Sequence, residues 1–398
     1  MRKSTKKYAG NRRSGWRTAG GVILWILTAI AIVGLIAACF GGYANPHKFK
    51  GLSLFQLTMP AWLIGWLIIT VLDFFWNRKA LFVSIIGFIP CVTAVWDYCP
   101  LNVFGPSAKK YAGCPKFTLL TYNVASFHNM TGEYPGDVNP TVSYIIRQNA
   151  DIVCLQETEV TLSGPFERFH VTAQQIDTIS GMYPYRFLYG GYLTVLSKYP
   201  VEPIHTPPLN NNQKQKWSIY PIGVFRVNIE GVPVTLFNVH LQSYSLSASD
   251  KALYKNIAEG KEIAEVAEGS VQGSIGEIKR QIYNKVQRAA EHRANEADAL
   301  CRYIEKFGGP NVIVAGDFND VPGCYTLRRL EEYDMKQVYP ELGFGPMITF
   351  NADMFYFRID HILYRGDFVP LSIRRGNIKS SDHYPLTATF AIKPSDKK

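Results

Sequence analysis

This chain has no CxxC pair, no internal repeat and no low-complexity tract, and its first eighteen residues contain no acid. Its seven cysteines are scattered, with Cys39, Cys91 and Cys154 set among apolar neighbours. Zinc sites and disulfide frameworks need paired or regularly spaced thiols, so neither is expected, and buried apolar thiols are the default reading. Cys99 and Cys114 are the exception, because they flank one short segment and would be placed to pair on an oxidising side of a membrane. The stretch without acids carries Arg2, Lys3, Lys6, Lys7, Arg12, Arg13 and Arg17. Removing those seven from the formal charge of +10 leaves +3 for the rest of the chain. The basic character therefore belongs to a tail and not to a large face, which weakens any inference from charge to nucleic acid.

Polar residues are equally scarce in three stretches before position 100. Gly21 to Phe40 is uncharged and as long as the roughly 20 residues a helix needs to cross hydrocarbon. Leu52 to Leu72 and Ala80 to Trp96 follow, which favours a retained anchor over a cleaved signal peptide. Trp62, Trp66, Trp76 and Trp96 accompany these runs, and aromatics of this kind argue against buried helices of a soluble protein. The tail and the Arg78 and Lys79 loop fall on one side, with nine basic residues against five on the other. The positive-inside bias then predicts a cytoplasmic N-terminus and an extracytoplasmic chain after Tyr98, in an inner or plasma membrane. The expected layout is a basic cytoplasmic tail over 1–20, a three-span anchor over 21–97, a Gly- and Pro-containing linker over 98–115 and a domain over 116–393.

From Lys116 onward the long apolar runs stop and short ones begin: FTLLTYN, DIVCLQE, YLTVLSKYP, VTLFNVH, NVIVAGDFN, RIDHILY and LTATFAI. Their length and β-branched and aromatic content predict strands. Helical stretches lie between them, at Thr141 to Gln148 and over a run with apolar positions Ile275, Ile278, Ile282, Val286, Ala290, Ala294, Ala297, Leu300 and Ile304. An α/β fold of two sheets packed face to face, with helices outside, is the architecture this predicts.

Acids, amides and histidines cluster within or just beyond those strands: Asn123, Glu157, His240, Asp317 with Asn319, and Asp360, joined by Asp382 and His383 from a loop. Strand ends present polar groups to one shared cleft, and carboxylates such as Glu157 and Asp382 are the ligands a hard cation like Mg²⁺ requires. Singly, an Asn closing a strand is usually a turn former, and a Glu after an apolar run is usually a solvated strand end. His361 should turn away from the cleft by strand alternation, and a structural role is expected of it.

The motifs GDFND, NVHLQS and SSDHYP together resemble the endonuclease/exonuclease/phosphatase superfamily, which includes DNase I-like nucleases, neutral sphingomyelinases and inositol-polyphosphate phosphatases. The resemblance covers roughly residues 116 to 393 in the right chain order, and it suggests a membrane-anchored, bacterial-type member. It implies a four-layer α/β sandwich and Mg²⁺- or Mn²⁺-dependent attack of water on phosphorus. Carried over, Glu157 would be the main metal ligand, Asp382 would lie near the metal, and Asn123 would help to hold metal and phosphate. Asp317 would orient and deprotonate the water, and Asn319 would contact the phosphate. His383 would donate to a phosphoryl oxygen with Asp360 orienting it, and His240 would protonate the leaving group or bind phosphate.

The sequence departs from this pattern in two places. The glutamate that backs the equivalent histidine in DNase I-like nucleases has no evident counterpart behind His240. Residues 244–286 form an insertion with Lys251, Lys255, Lys261, Lys279 and Arg280, expected to be a solvated helical excursion and alternatively a lid beside His240. Arg288 and Arg293 on the following helix are read as surface charge, with a position facing the cleft as the alternative. The resemblance implies a phosphate-ester substrate: a phospholipid head group, a nucleic acid or an inositol phosphate. Tethering raises the local concentration of lipid head groups and slightly favours the first. The alternative from another class is a catalytically inactive, membrane-anchored binding or scaffold protein of the same fold.

Overall fold

In a computed structural model, residues 4–106, 108–158, 162, 164, 167–209, 220–244, 275–352 and 355–393 are described. The chain divides into two compact units, Met1–Trp96 with Gly323–Tyr325, and Asp97–Pro322 with Thr326–Lys398.

The first unit contains three helical segments long and apolar enough to cross a membrane, Gly20–Tyr43, Lys50–Trp76 and Arg78–Tyr98. The third starts where the Asn77 side chain accepts a hydrogen bond from Ala80 N at 3.2 Å, a side-chain N-cap. It changes to a 3-10 turn over Ile89–Cys91, where Pro90 removes a backbone donor. Thr28 Oγ1 donates to the buried Asp73 at 2.8 Å, and Thr70 shares a 2.7 Å bond with Ser84. These bonds satisfy polar groups that hydrocarbon would leave unpaired.

The second unit is built on β1 (Lys116–Asn123), β2 (Ile152–Gln156), β3 (Tyr185–Tyr189), β4 (Leu193–Ser197), β5 (Val201–Ile204), β6 (Ile222–Ile229) and β7 (Val232–His240). It continues through β8 (Val312–Asp317), β9 (Lys336–Gln337), β10 (Phe350–Ala352), β11 (Phe355–Phe357), β12 (Asp360–Arg365), β13 (Phe368–Arg375) and β14 (Leu386–Ile392). One six-stranded sheet runs β13-β14-β1-β2-β4-β3, the other β5-β6-β7-β8-β12-β9, and β10 and β11 form a separate two-stranded sheet. Both large sheets are mixed, with parallel pairs β1·β2 and β7·β8. The helix Pro140–Gln148 lies in the first crossover and Ile275–Phe307 in the second.

Alternation of side chains along each strand divides the core in two. Phe117 and Leu119, Ile152 and Cys154, Leu236, Ile313 and Ala315, Ile362 and Tyr364 all belong to one apolar cluster shared by the two sheets. The intervening Leu120, Tyr122, Val153 and Leu155 face outward and pack with Val142, Ile145, Ile176 and Ile179 of the covering helices. Each fully buried Phe, Leu or Ile contributes about 1.5–3 kcal/mol of transfer free energy. The expected sandwich of two sheets flanked by helices is the observed architecture. The strands not singled out in the sequence are mostly short or at edges; β13 carries Pro370, tolerated because it is an edge strand with a register shift there. None of the seven cysteines, Cys99 and Cys114 included, forms a disulfide. Most of the insertion, residues 245–274 with Lys251, Lys255 and Lys261, lies outside the described residues.

Candidate active site

At one end of the sandwich the inward-facing positions change from apolar to polar. Ile313 and Ala315 of β8 lead to Asp317, Leu236 of β7 to Asn238 and His240, and Tyr364 and Ile362 of β12 back to Asp360. The register places His240 opposite Asp317 and Asp317 opposite Asp360, so the three stand in one row across adjacent strands. On the facing sheet, Asn123 pairs with Gln156 at the ends of β1 and β2. Gln156 Nε2 donates to Asn238 Oδ1 at 2.7 Å, joining the sheets just behind the cleft. Gly316 is required between these positions, since an added Cβ would come within 2.0 Å of the Val239 carbonyl.

Two residues reach the cleft only because the backbone turns left-handed after a strand. Continued alternation would point Glu157 away, but its φ of 56° brings the carboxylate round to accept from Asn123 Nδ2 at 2.9 Å. Such a conformation costs a non-glycine residue on the order of 1 kcal/mol or more, and the 2.8 Å bond from Ser126 N to Glu157 O holds it. Asn319, at φ 50°, folds back so that its N–H donates to Asp317 Oδ1 at 2.8 Å and its Nδ2 to Leu241 O at 2.9 Å.

Four side chains converge on the Asp317 carboxylate, itself almost fully buried. Asn123 Nδ2 lies 3.0 Å and Asn319 Nδ2 3.3 Å from Oδ2, with His383 Nε2 at 3.5 Å and His240 Nε2 at 3.6 Å. His240 Nε2 is also 3.5 Å from Glu157 Oε1. Its Nδ1 is buried without a hydrogen-bond partner among the described residues. His383 Nδ1 bonds Asp360 Oδ2 at 2.9 Å, and its loop is held by Ser381, which donates to Asn123 O at 2.8 Å and accepts from His383 N at 3.1 Å.

Burial works against a charged His383, but the carboxylates of Asp360, Asp317 and Asp382 and the bond to Asp360 hold the ring's pKa well above its ordinary value. Burial pushes Asp360 up to about 6, opposed by His383 and reinforced by Asp317. The pair is therefore imidazolium and carboxylate through the neutral range. Asp317, Asp360 and His383 offer ligand atoms all within 4.8 Å of one another. A His383 that keeps its proton is a poor ligand, which leaves oxygen donors. Glu157 is partly exposed, and Asp382 accepts from Ser381 Oγ at 3.3 Å. Carboxylates of this kind fit a hard divalent cation. Asn123 presents its nitrogen to Glu157 and Asp317 while its Oδ1 accepts from Ala125 N at 3.1 Å, so as it stands it orients the acids.

All eight residues singled out in the sequence lie at this end of the sandwich or on the loop that carries His383. His361 does not join them: its Nε2 meets Asp320 O at 3.0 Å on the other face of β12, and burial followed by Arg358 pushes its pKa down to about 3. Arg288 is exposed, but the reading of Arg293 as surface charge is corrected, for it is 1% exposed. Its NH1 donates to Gln242 O at 2.9 Å, its Nε lies 3.3 Å from Asp320 Oδ2, and its guanidinium stacks on Tyr244 at 4.2 Å. Glu296, one turn on, accepts from Gln242 N at 2.7 Å. One turn of helix thus clamps the segments that follow His240 and Asn319. The signal was its position: Arg293 stands within the Ala290, Ala294, Ala297 stripe that faces the core.

Residues 120–383 match the model of the Endonuclease/Exonuclease/phosphatase family, and residues 21–98 match a domain of unknown function. No curated protein sequence matches the chain. Among solved structures, an endonuclease/exonuclease/phosphatase from Beutenbergia cavernae is 14% identical, covering 71% of this chain and 72% of that one, with a TM-score of 0.44. A humanized D. rerio TDP2 is 16% identical over 69% of this chain and 98% of its own, at TM-score 0.43. The beta toxin of Staphylococcus aureus is 16% identical over 68% and 99%, at 0.41.

Proposed function

The chain belongs to the endonuclease/exonuclease/phosphatase family, and from that premise we propose that its second unit hydrolyses a phosphodiester or phosphomonoester with a divalent cation, Mg²⁺ or Mn²⁺. The observation that carries the reading is the convergence of Asn123, Asn319, His240 and His383 on one buried carboxylate, Asp317. A binding module has no need to bury an acid among two amides and two histidines at the mouth of a cleft.

Asp317 accepts the proton of a water that attacks phosphorus, and the amides of Asn123 and Asn319 fix the carboxylate for that task. His383, charged through its pairing with Asp360, donates from Nε2 to a phosphoryl oxygen. The long 3.3 Å contact from Asn319 Nδ2 to Asp317 is the one a phosphoryl oxygen would take over. As the bond from phosphorus to the leaving oxygen breaks, His240 Nε2 supplies that oxygen with a proton. Glu157 and Asp382, with Asn123 beside them, would hold the cation, which as a Lewis acid supplies stabilisation of charge building on the phosphoryl group.

The three apolar helices anchor the protein in an inner or plasma membrane with the catalytic unit on the extracytoplasmic side. Phospholipid is the favoured substrate, since the tether concentrates lipid head groups and little net charge outside the tail is available for nucleic acid. The test is hydrolysis of bis-p-nitrophenyl phosphate, DNA and sphingomyelin by the detergent-solubilised full chain, with Mg²⁺, Mn²⁺ or EDTA. Metal-dependent turnover that disappears in Asp317→Ala is expected. If no substrate is turned over differently by the two proteins, the reading as an enzyme fails and the inactive scaffold takes its place.

A further inference from the structure

Where the chain enters the second unit, a short segment is fastened down yet leaves its apolar side chains outside. Leu101 pairs with Phe344 in an isolated antiparallel bridge. Asn102 N donates to Gly343 O at 3.2 Å and Gly345 N to Pro100 O at 2.7 Å, while Asn102 Nδ2 reaches Pro340 O at 2.9 Å and Gly343 O at 3.0 Å. Two backbone bonds and two from the Asn102 side chain hold this segment, but Leu101 is 55%, Val103 70%, Phe104 91% and Phe344 66% exposed. Apolar side chains grouped on an ordered loop mark a surface that meets a partner.

Chain length identifies that partner. The third candidate span ends at Tyr98, and Leu101 follows three residues later. An extended chain advances at most about 3.6 Å per residue, so Leu101 lies within about 11 Å of the end of the span and Phe104 within about 22 Å, whichever way the unit turns. The head-group layer on each side of the hydrocarbon is itself roughly 5–8 Å thick. Phe344 is held beside Leu101 by the bridge and shares its depth. From Cys99 to Lys116 the sequence has Lys109, Lys110 and Lys116 and no acid, a composition suited to anionic head groups.

We infer that Leu101, Val103, Phe104 and Phe344 form a docking surface that inserts into the boundary between lipid head groups and acyl chains, holding the catalytic unit on the bilayer that anchors it. The inference rests on the membrane-spanning reading of the three helices, and it makes the unit an interfacial enzyme if the proposed hydrolase activity holds. Aromatic and aliphatic side chains are the ones that partition at this depth.

The full chain, carrying photoreactive benzoylphenylalanine in place of Phe104, is reconstituted in nanodiscs of phosphatidylethanolamine and phosphatidylglycerol and irradiated. Mass spectrometry should find a protein–lipid adduct; an adduct with a second copy of the chain, or none, overturns the inference. A second arm combines Leu101→Ser, Val103→Ser, Phe104→Ser and Phe344→Ser. Hydrolysis of bilayer phospholipid should fall by about tenfold while soluble bis-p-nitrophenyl phosphate is turned over as before. Equal rates of the variant and the parent on both substrates sink the docking surface. If the unaltered protein hydrolyses neither, the phosphoesterase reading fails and the crosslink alone decides the surface.

Discussion

Asp360 and His383 meet at 2.9 Å in a place almost closed to water, and the consequences for pH follow from the two shifts together. The folded pKa of His383 lies above its ordinary 6.5, so the charge on the ring, and the stability it contributes, is complete below 6.5 and is lost only as the pH rises through the raised value. Asp360 ionises at about 6, which sets the lower edge of the charged pair. The charged pair should accordingly persist from about pH 6 to well above neutrality, and any limb that it sets in the rate profile should lie outside that window. Asp360→Asn removes the principal carboxylate that supports the imidazolium. The alkaline limb should then move to lower pH and kcat should fall by about 10²–10⁴, with KM less affected. An unchanged alkaline limb in the variant would show that Asp360 does not govern the charge on His383. The next residue behaves in the opposite sense. His361 is held neutral with its pKa near 3, so its stabilisation is complete above 6.5 and is lost as the pH falls towards 3. At about pH 5 this amounts to on the order of 2 kcal/mol. His361→Gln keeps a donor for Asp320 O without a titrating ring, and its melting temperature in detergent should fall less than the parent's between neutral pH and 5; parallel losses would refute the assignment.

At the scale of elements, the cleft is an assembly of strand ends clamped from outside by a single helix. Arg293 and Glu296 on Ile275–Phe307 grip the carbonyl and the N–H of Gln242, two residues beyond His240. Arg293 also faces Asp320, which neighbours Asn319. Arg293→Met would leave the Asp320 carboxylate short of its cation in a buried setting, at a cost of about 3 kcal/mol. Both melting temperature and kcat should fall, and Arg293→Lys should restore part of each; a variant with Met that melts with the parent would remove the clamp from the account. What could be read in the sequence follows the same physics. Asp317, His240 and Asp360 were legible because period-two alternation carries an apolar face straight into a polar end. Glu157 was legible as an acid just past a strand and by resemblance, but its turn into the cleft was not, since a left-handed turn at a glutamate has no local signature. The burial of Arg293 was present in its place on the Ala290–Ala297 stripe, but its charge outweighed that position in the reading. Edge strands such as β13, with its Pro370, draw their register from neighbours in the sheet and not from their own composition.

Across the whole molecule, the side of the membrane decides which phosphate esters the cleft can meet. On the proposed topology, three crossings would put the two ends of the chain on opposite sides, with the N-terminus in the cytoplasm by the bias of nine basic residues against five. Lys109, Lys110 and Lys116 stand on the disfavoured side, so the margin is set by the seven-residue cluster at the start and by Arg78 and Lys79. A C-terminal fusion to alkaline phosphatase, which needs an oxidising compartment, should be active, and a fusion to a β-galactosidase, which folds only in the cytoplasm, should be silent. Replacing the seven N-terminal basic residues with glutamine should erode this contrast, because two basic residues would then face five. The reverse pattern in the parent would place the catalytic unit among cytoplasmic nucleic acids and nucleotides. The argument for lipid from location would fall with it, while the convergence on Asp317 and the chemistry drawn from it would stand.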